Sequence, residues 1–153
     1  MPALSTRAIE KLEIERSVPP GARMPSTPER NRQNAIAFYD LMFNQCKPRD
    51  AVEQYFGSTY IQHNPHVADG TSAFIEYFER MASEYPGKWV TFKRTVAEGD
   101  LVVLHCHQSW PTDPNKDWAG IDIFRFDEDG KIVEHWDVLQ TVPPEMQHGN
   151  GMF

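Results

Sequence analysis

The sequence predicts a single α+β domain in which helices pack on one face of an antiparallel sheet. Three segments with helical spacing of apolar residues come first, and segments with strand character follow them. Glycine-containing turn signals separate consecutive strands, at Gly99-Asp100 and at Asp129-Gly130. The length of 153 residues suits one domain with a sizeable buried core.

The helical segments are predicted from their start signals and their apolar spacing. Thr27 is suited to cap the first helix, and Pro28 is suited to its first helical position. The apolar residues of this helix, over residues 30–45, recur on one broad face: Ala35, Ile36, Phe38, Tyr39, Met42 and Phe43. A second helix is predicted over residues 48–56, and a third over residues 71–85, before a Pro-Gly pair.

The strands are predicted from runs of β-branched, aromatic and aliphatic residues. A short strand at residues 60–66 lies between the second and third helices, and the later strands are predicted at residues 89–98, 101–110, 118–127 and 131–140. These bounds divide the chain into an N-terminal arm over residues 1–28, an α+β domain over residues 29–142 and a C-terminal tail over residues 143–153. The arm is proline-rich, and we predict that it is extended or partly helical.

Composition and charge exclude several classes of partner. The net charge of −7 and the lack of a Lys/Arg cluster argue against nucleic acid, and weakly against an anionic membrane surface. No apolar run approaches the roughly 18 residues needed to span a bilayer, and no signal-peptide pattern opens the chain. We therefore expect a cytoplasmic protein. Cys46 and Cys106 form no CxxC motif and are predicted to be free thiols.

Polar residues interrupt the apolar faces of three neighbouring strands. Strand alternation places His105 with His107, and His135 with Asp137, while Asp122 shares its face with phenylalanines. We predict that these groups lie on one common face and form the wall of a small-molecule pocket. A carboxylate on an apolar face is costly unless it is partnered or used chemically.

The pattern leaves two chemistries open. His63 and His66 flank a proline turn at a strand end, which is typical of a pocket rim. One hypothesis is acid–base chemistry with an Asp as base. The other is a metal site built with a carboxylate from several histidines: His63, His66, His105, His107 and His135. No metal-ligand motif, GxSxG motif or Gly-rich phosphate loop is present, so we predict neither a metal nor a cofactor.

Three segments resemble a known family: YIQHNP at residues 60–65, IDIFRF at residues 121–126 and DGKIVEHWD at residues 129–137. Over about residues 30–140 the chain resembles the SnoaL-like polyketide cyclases of the nuclear transport factor 2-like superfamily. The resemblance implies three N-terminal helices packed on a strongly curved, antiparallel or mixed sheet, which together form a cone-shaped α+β barrel.

The resemblance also implies roles for individual residues. An Asp in the last strand of the polyketide cyclases is the general base of an intramolecular aldol closure, and it matches Asp137. The family's histidine on the preceding strand aligns with Asp122, so two carboxylates would face each other and share a proton if close. We interpret His63 and His107 as donors or proton carriers, with Asp122 and His105 as further catalytic candidates.

The function predicted from this resemblance is cofactor-independent aldol condensation or cyclisation, isomerisation or dehydration of a small hydrophobic carbonyl compound. The residues predicted to bind substrate are His66, Trp110, Phe124, Phe74, Tyr39 and His135. The alternatives are a non-catalytic binding or dimerisation module and a His-rich metal enzyme. We also predict a homodimer through the outer sheet face, which carries Ile121, Ile123, Trp136 and Val138.

Overall fold

The computed structural model describes residues 26–153, and the predicted arm over residues 1–28 lies almost wholly outside them. The helices are α1 (Pro28–Tyr39), α2 (Pro48–Tyr55) and α3 (Thr71–Glu84), and a π-helical turn at Asp40–Asn44 continues α1. The strands are β1 (Phe56–Gln62), β2 (Trp89–Glu98), β3 (Leu101–Ser109), β4 (Asp117–Phe126) and β5 (Ile132–Thr141). The predicted α+β class and its helices are confirmed.

The local signals act as expected at the ends of several elements. The Thr27 hydroxyl accepts a hydrogen bond of 3.2 Å from the backbone N–H of Arg30, so it caps α1. Gly99 and Gly130 have positive φ angles in the two hairpin turns. The strand predicted at residues 60–66 instead spans Phe56–Gln62, because α2 ends at Tyr55 and the chain becomes extended at once.

The sheet has the order β1-β5-β4-β3-β2. Its strands pair antiparallel except for β1, which runs parallel to β5. The sheet is mixed and remains open, because β1 and β2 are edge strands that do not pair with each other. Among residues 26–153, no helix is long and apolar enough to cross a membrane.

The helices cover the sheet face that carries Asp122. Leu104, Asp122 and Asp137 are direct cross-strand partners and therefore share this inner face. On β3 the same face continues through Val102 and Cys106, both fully buried. An aromatic cluster lies between helices and sheet, with the Phe38 ring in contact with Phe56, Phe74 and Phe124, and with Phe56 also in contact with Phe74.

One predicted face assignment was wrong. His105 and His107 pair with Ile121 and Ala119 of β4, so they lie on the outer face, away from Asp122. Their alternation with Leu101 and Val103 was read correctly, but the apolar residues between them are the buried ones. The physical reason is that Val102, Leu104 and Cys106 gain more from burial than a set that contains two imidazoles.

Candidate active site

A cavity of about 360 Å³ lies between the inner sheet face, α3, the chain after β1 and the β3–β4 loop. The residues that line it are Asn64, Pro65, His66, Tyr77, Met81, Tyr85, Gln108, Trp110, Asp113, Trp118, Asp137 and Leu139. A smaller cavity of about 30 Å³ shares Asn64 and Asp137 with it and extends into the aromatic core. The two cavities therefore meet at these two side chains.

Asp137 is a half-buried carboxylate on the wall of both cavities. The Asn64 amide donates a hydrogen bond of 2.6 Å to its Oδ2 atom. Burial raises the pKa of Asp137 above its ordinary value, and the charge of Asp122 adds to the rise. The hydrogen bond from Asn64 and the charge of His135 oppose this rise. The side chain is thus an ionisable group held in a fixed orientation and partly withdrawn from water.

Asp122 is the fully buried neighbour of Asp137 on β4. Its Oδ1 atom accepts a hydrogen bond of 3.1 Å from the Tyr39 hydroxyl and lies 3.2 Å from His135 Nε2. Its Oδ2 atom has no hydrogen-bond partner within the described part of the chain. Burial and the charge of Asp122 raise the pKa of the Tyr39 hydroxyl well above its ordinary value. Tyr39 therefore stays protonated and acts as a donor to Asp122.

Two amides continue this network toward the cavity and toward β1. Gln108 donates from Nε2 to the Tyr39 hydroxyl at 3.0 Å and accepts from the Trp110 indole at 3.3 Å. Gln62 lies 2.9 Å from His135 Nδ1 through its Oε1 atom and donates to the Tyr60 hydroxyl. Each side chain of this hydrogen-bond network restrains its neighbour, so the network fixes the cavity wall behind Asp137.

Asp122, His135 and Asp137 each offer one oxygen or nitrogen atom, and these atoms lie within 4.8 Å of one another. This trio is the set that could hold a metal ion among the described residues. It differs from the predicted histidine-rich set, because His105 and His107 lie on the opposite sheet face.

A family model described as a SnoaL-like domain matches residues 35–135, which begin within α1 and end at His135 of β5, two residues before Asp137. The chain belongs to the SnoaL-like family. No curated protein sequence matches it.

Solved structures share the SnoaL-like fold at low sequence identity. TsrD from Streptomyces laurentii is 23% identical, with a TM-score of 0.61, over 74% of this chain and 91% of that one. A proposed polyketide cyclase from Bacillus cereus is 20% identical, with a TM-score of 0.62, over 72% and 74%. A LEH-like epoxide hydrolase from M. tuberculosis is 19% identical, with a TM-score of 0.59, over 74% and 84%. These likenesses establish the fold, which hosts several chemistries.

Three predicted catalytic histidines of this SnoaL-like domain lie outside the cavities. His63 stacks on Trp136 at 4.9 Å and contacts Glu134 at 2.9 Å on the outer side of the sheet. His105 contacts Arg94, and His107 contacts Asp117 at 2.7 Å. Their predicted position in the pocket was wrong, because each points away from the inner face where Asp122 and Asp137 lie.

The remaining predicted residues do come together on the inner side. His66 and Trp110 line the larger cavity, and the smaller cavity is lined by Tyr39, Phe74, Phe124 and His135. Sequence reasoning missed Gln62, Asn64 and Gln108. Alternation in YIQHNP could have found the first two, because they share a face with the buried Tyr60, whereas His63 takes the other face.

The Tyr39 hydroxyl is predicted to contribute to folding of this SnoaL-like domain. Tyr39→Phe removes the donor to Asp122 and the acceptor for Gln108, so we expect a loss of about 1–2 kcal/mol in the free energy of unfolding. Urea unfolding measures the change. Tyr55→Phe, at a half-buried ring outside this network, serves as the control. Equal stabilities of the Tyr39 variant and the wild type would contradict the role of this hydroxyl.

Proposed function

We propose that this chain is a cofactor-independent acid–base enzyme in which Asp137 takes a proton from carbon next to a carbonyl group. The observation that carries the proposal is a half-buried carboxylate on the cavity wall, with a raised pKa and a fixed orientation. Such a group suits a general base, because its pKa is moved toward the working pH while its geometry is held. The reaction is an aldol condensation or cyclisation, an isomerisation or a dehydration.

The mechanism divides the work among three groups. Asn64 holds Oδ2 of Asp137, so the carboxylate is presented to the cavity in one orientation. The carboxylate accepts the proton from the substrate carbon, and the electron pair moves onto the carbonyl oxygen. The resulting enolate oxygen needs a hydrogen-bond donor, for which the Gln108 amide in the cavity lining is suited.

Family and fold support this assignment in a general way. The solved relatives include a proposed polyketide cyclase, a proposed SnoaL-like isomerase and a LEH-like epoxide hydrolase. A proton-accepting carboxylate in an apolar cavity can serve each of these reactions. The alternative function is a non-catalytic module that binds a hydrophobic molecule in the same cavity. It differs in needing the cavity but not the ionised form of Asp137.

The pH dependence of the reaction tests the role of Asp137 as base. Because the base must be ionised, kcat/KM should fall as the pH drops through the pKa of Asp137. The Asn64 hydrogen bond lowers this pKa, so Asn64→Ala should move the acid limb of the profile to higher pH. The measurement is kcat/KM against pH for a substrate found in a panel of small ketones and aldehydes.

The control for this pH profile is Asn150→Ala, in the exposed C-terminal tail, which should leave the profile in place. An acid limb that stays fixed in the Asn64 variant, or moves to lower pH, would refute Asp137 as the titrating base.

We also propose that two copies of the chain associate through the outer sheet face. Ile121 and Val138 are directly opposed on β4 and β5, and 40% and 72% of their surfaces are exposed. Val138→Asp places a charge at the centre of this patch without touching the cavity. Size-exclusion chromatography with light scattering should show a dimer for the wild type and a monomer for the variant. A monomeric wild type would disprove the association.

A further inference from the structure

The larger cavity combines aromatic walls with negative charge. Four of its lining side chains are aromatic: Tyr77, Tyr85, Trp110 and Trp118. Two others are the carboxyl groups Asp113 and Asp137, and no Lys or Arg belongs to the lining as formed by residues 26–153. A ligand that carries a carboxylate or phosphate would face these carboxylates without a permanently charged basic partner, with His66 as the one imidazole present.

Two of the aromatic side chains form a corner of the cavity. The rings of Tyr85 and Trp110 lie 5.2 Å apart at an angle of 87°, so they form two walls that meet at a right angle. Ring faces attract a cation through their quadrupole, and cages of such rings recognise quaternary ammonium groups. The Tyr77 ring, which also lines the cavity, has one face occupied by the Arg80 guanidinium at 5.3 Å from its centre. Arg80 itself is paired with Glu84 at 3.9 Å and does not line the cavity.

Asp113 supplies a fixed negative charge beside these rings. Its backbone N–H donates to the carbonyl of Trp110 at 2.9 Å, and its Oδ1 atom accepts from the N–H of Asn115 at 2.7 Å. This turn ties Asp113 to the backbone of Trp110, and both side chains line the cavity. Asp137 stands on the sheet, on a different element of the same cavity.

We propose that the substrate joins a carbonyl-bearing apolar body to a positively charged amine, with the ammonium group bound by Tyr85, Trp110 and Asp113. The inference rests on the proposed function only in placing the carbonyl group near Asp137. The aromatic rings and the Asp113 carboxylate bind the cation, whereas Asp137 on β5 contacts the reacting carbon. The site therefore selects a ligand that has a positive charge at one end and, at the other end, a carbon acidic enough to give up a proton.

Three matched probes test this selection by isothermal titration calorimetry, which requires no turnover. They are 4-acetyl-N,N,N-trimethylanilinium, its uncharged isostere 4′-tert-butylacetophenone, and 4-acetylbenzoate. The trimethylammonium probe should bind about tenfold more tightly than the tert-butyl probe, because the shapes are equal and the cation–π and ionic attraction exceeds the added cost of desolvating the cation. The carboxylate probe should bind most weakly. A tert-butyl probe that binds as tightly as the cationic probe would overturn the inference.

A variant of Asp113 tests whether its carboxylate causes the preference for the cationic probe. Asp113→Asn keeps the size of the side chain and removes its charge, so the affinity ratio of cationic to tert-butyl probe should fall severalfold. Asp50→Asn, on the exposed side of α2, should leave this ratio unchanged. A ratio that is the same in the Asp113 variant and the wild type would exclude Asp113 from the site. A wild-type protein that shows no preference for the cationic probe, and whose turnover still depends on Asp137, would refute the cation site while leaving the proposed acid–base function intact.

Discussion

Asp137→Asn is expected to lower kcat/KM for the carbonyl substrate by about a thousandfold, which is within the usual contribution of a general base. The amide has nearly the same shape as the carboxylate, and its oxygen can still accept the hydrogen bond from Asn64. It has no lone pair basic enough to take a proton from carbon. A non-catalytic binding module would keep its ligand affinity and show no turnover to lose.

The same substitution should raise the stability of the protein at neutral pH. Burial raises the pKa of Asp137, so the folded state favours the protonated form more than the unfolded chain does. Its contribution to stability is therefore lost as the pH rises from the ordinary pKa of an Asp through the raised value. Asn has no charge to bury, so the melting temperature of the variant should exceed that of the wild type at neutral pH, and the gap should close in acid.

Thermal unfolding at neutral and acid pH checks this second part, with Asp50→Asn as an exposed control. A variant that is less active and also less stable at neutral pH would indicate that Asp137 supports the fold, and would count against its role as a catalytic carboxylate whose burial costs stability.

Phe38→Ala should cost about 3–5 kcal/mol in the free energy of unfolding. The ring is 1% exposed and joins α1 to the sheet, with ring centres of Phe56 at 5.1 Å and of Phe74 and Phe124 at 5.9 Å. Removing it opens a cavity that these neighbours cannot close without moving. Because Tyr39 follows directly, the wall that holds Asp122 should loosen as well.

Urea unfolding with an unchanged m-value would attribute the Phe38 effect to packing rather than to a change in the denatured state. Val96→Ala, at a side chain that is 62% exposed, should cost no more than about 0.5 kcal/mol. A similar small cost for both variants would show that the aromatic cluster does not stabilise α1 on the sheet.

The elements were predictable from sequence because their signals are local. The Thr27 cap, the prolines at the starts of α1 and α2, and the glycines of the hairpin turns each act within a few residues. The face of β3 was not predictable in the same way. Alternation gives two sets of residues but does not say which set is buried. The prediction chose the set with His105 as the inner face, and this exchanged the two faces of β3.

The candidate site was predictable at the two carboxylates, where the family resemblance and the pairing of β4 with β5 agree. Asp122 and Asp137 were expected to face each other, and they are direct cross-strand partners. Asn64 was missed because it lies two residues past the end of β1, where the parallel pairing with β5 sets its position. Such a pairing joins segments more than 70 residues apart, so its register depends on the folded core rather than on neighbouring residues.

Deuterium exchange at the carbon next to the carbonyl group tests directly whether Asp137 is the base. A methyl ketone such as 4′-tert-butylacetophenone is incubated in heavy water with the protein, and loss of the acetyl proton signal is followed by NMR. We expect the wild type to accelerate this exchange and Asp137→Asn to abolish the acceleration while the ligand still binds. Equal acceleration by both proteins would contradict Asp137 as the base.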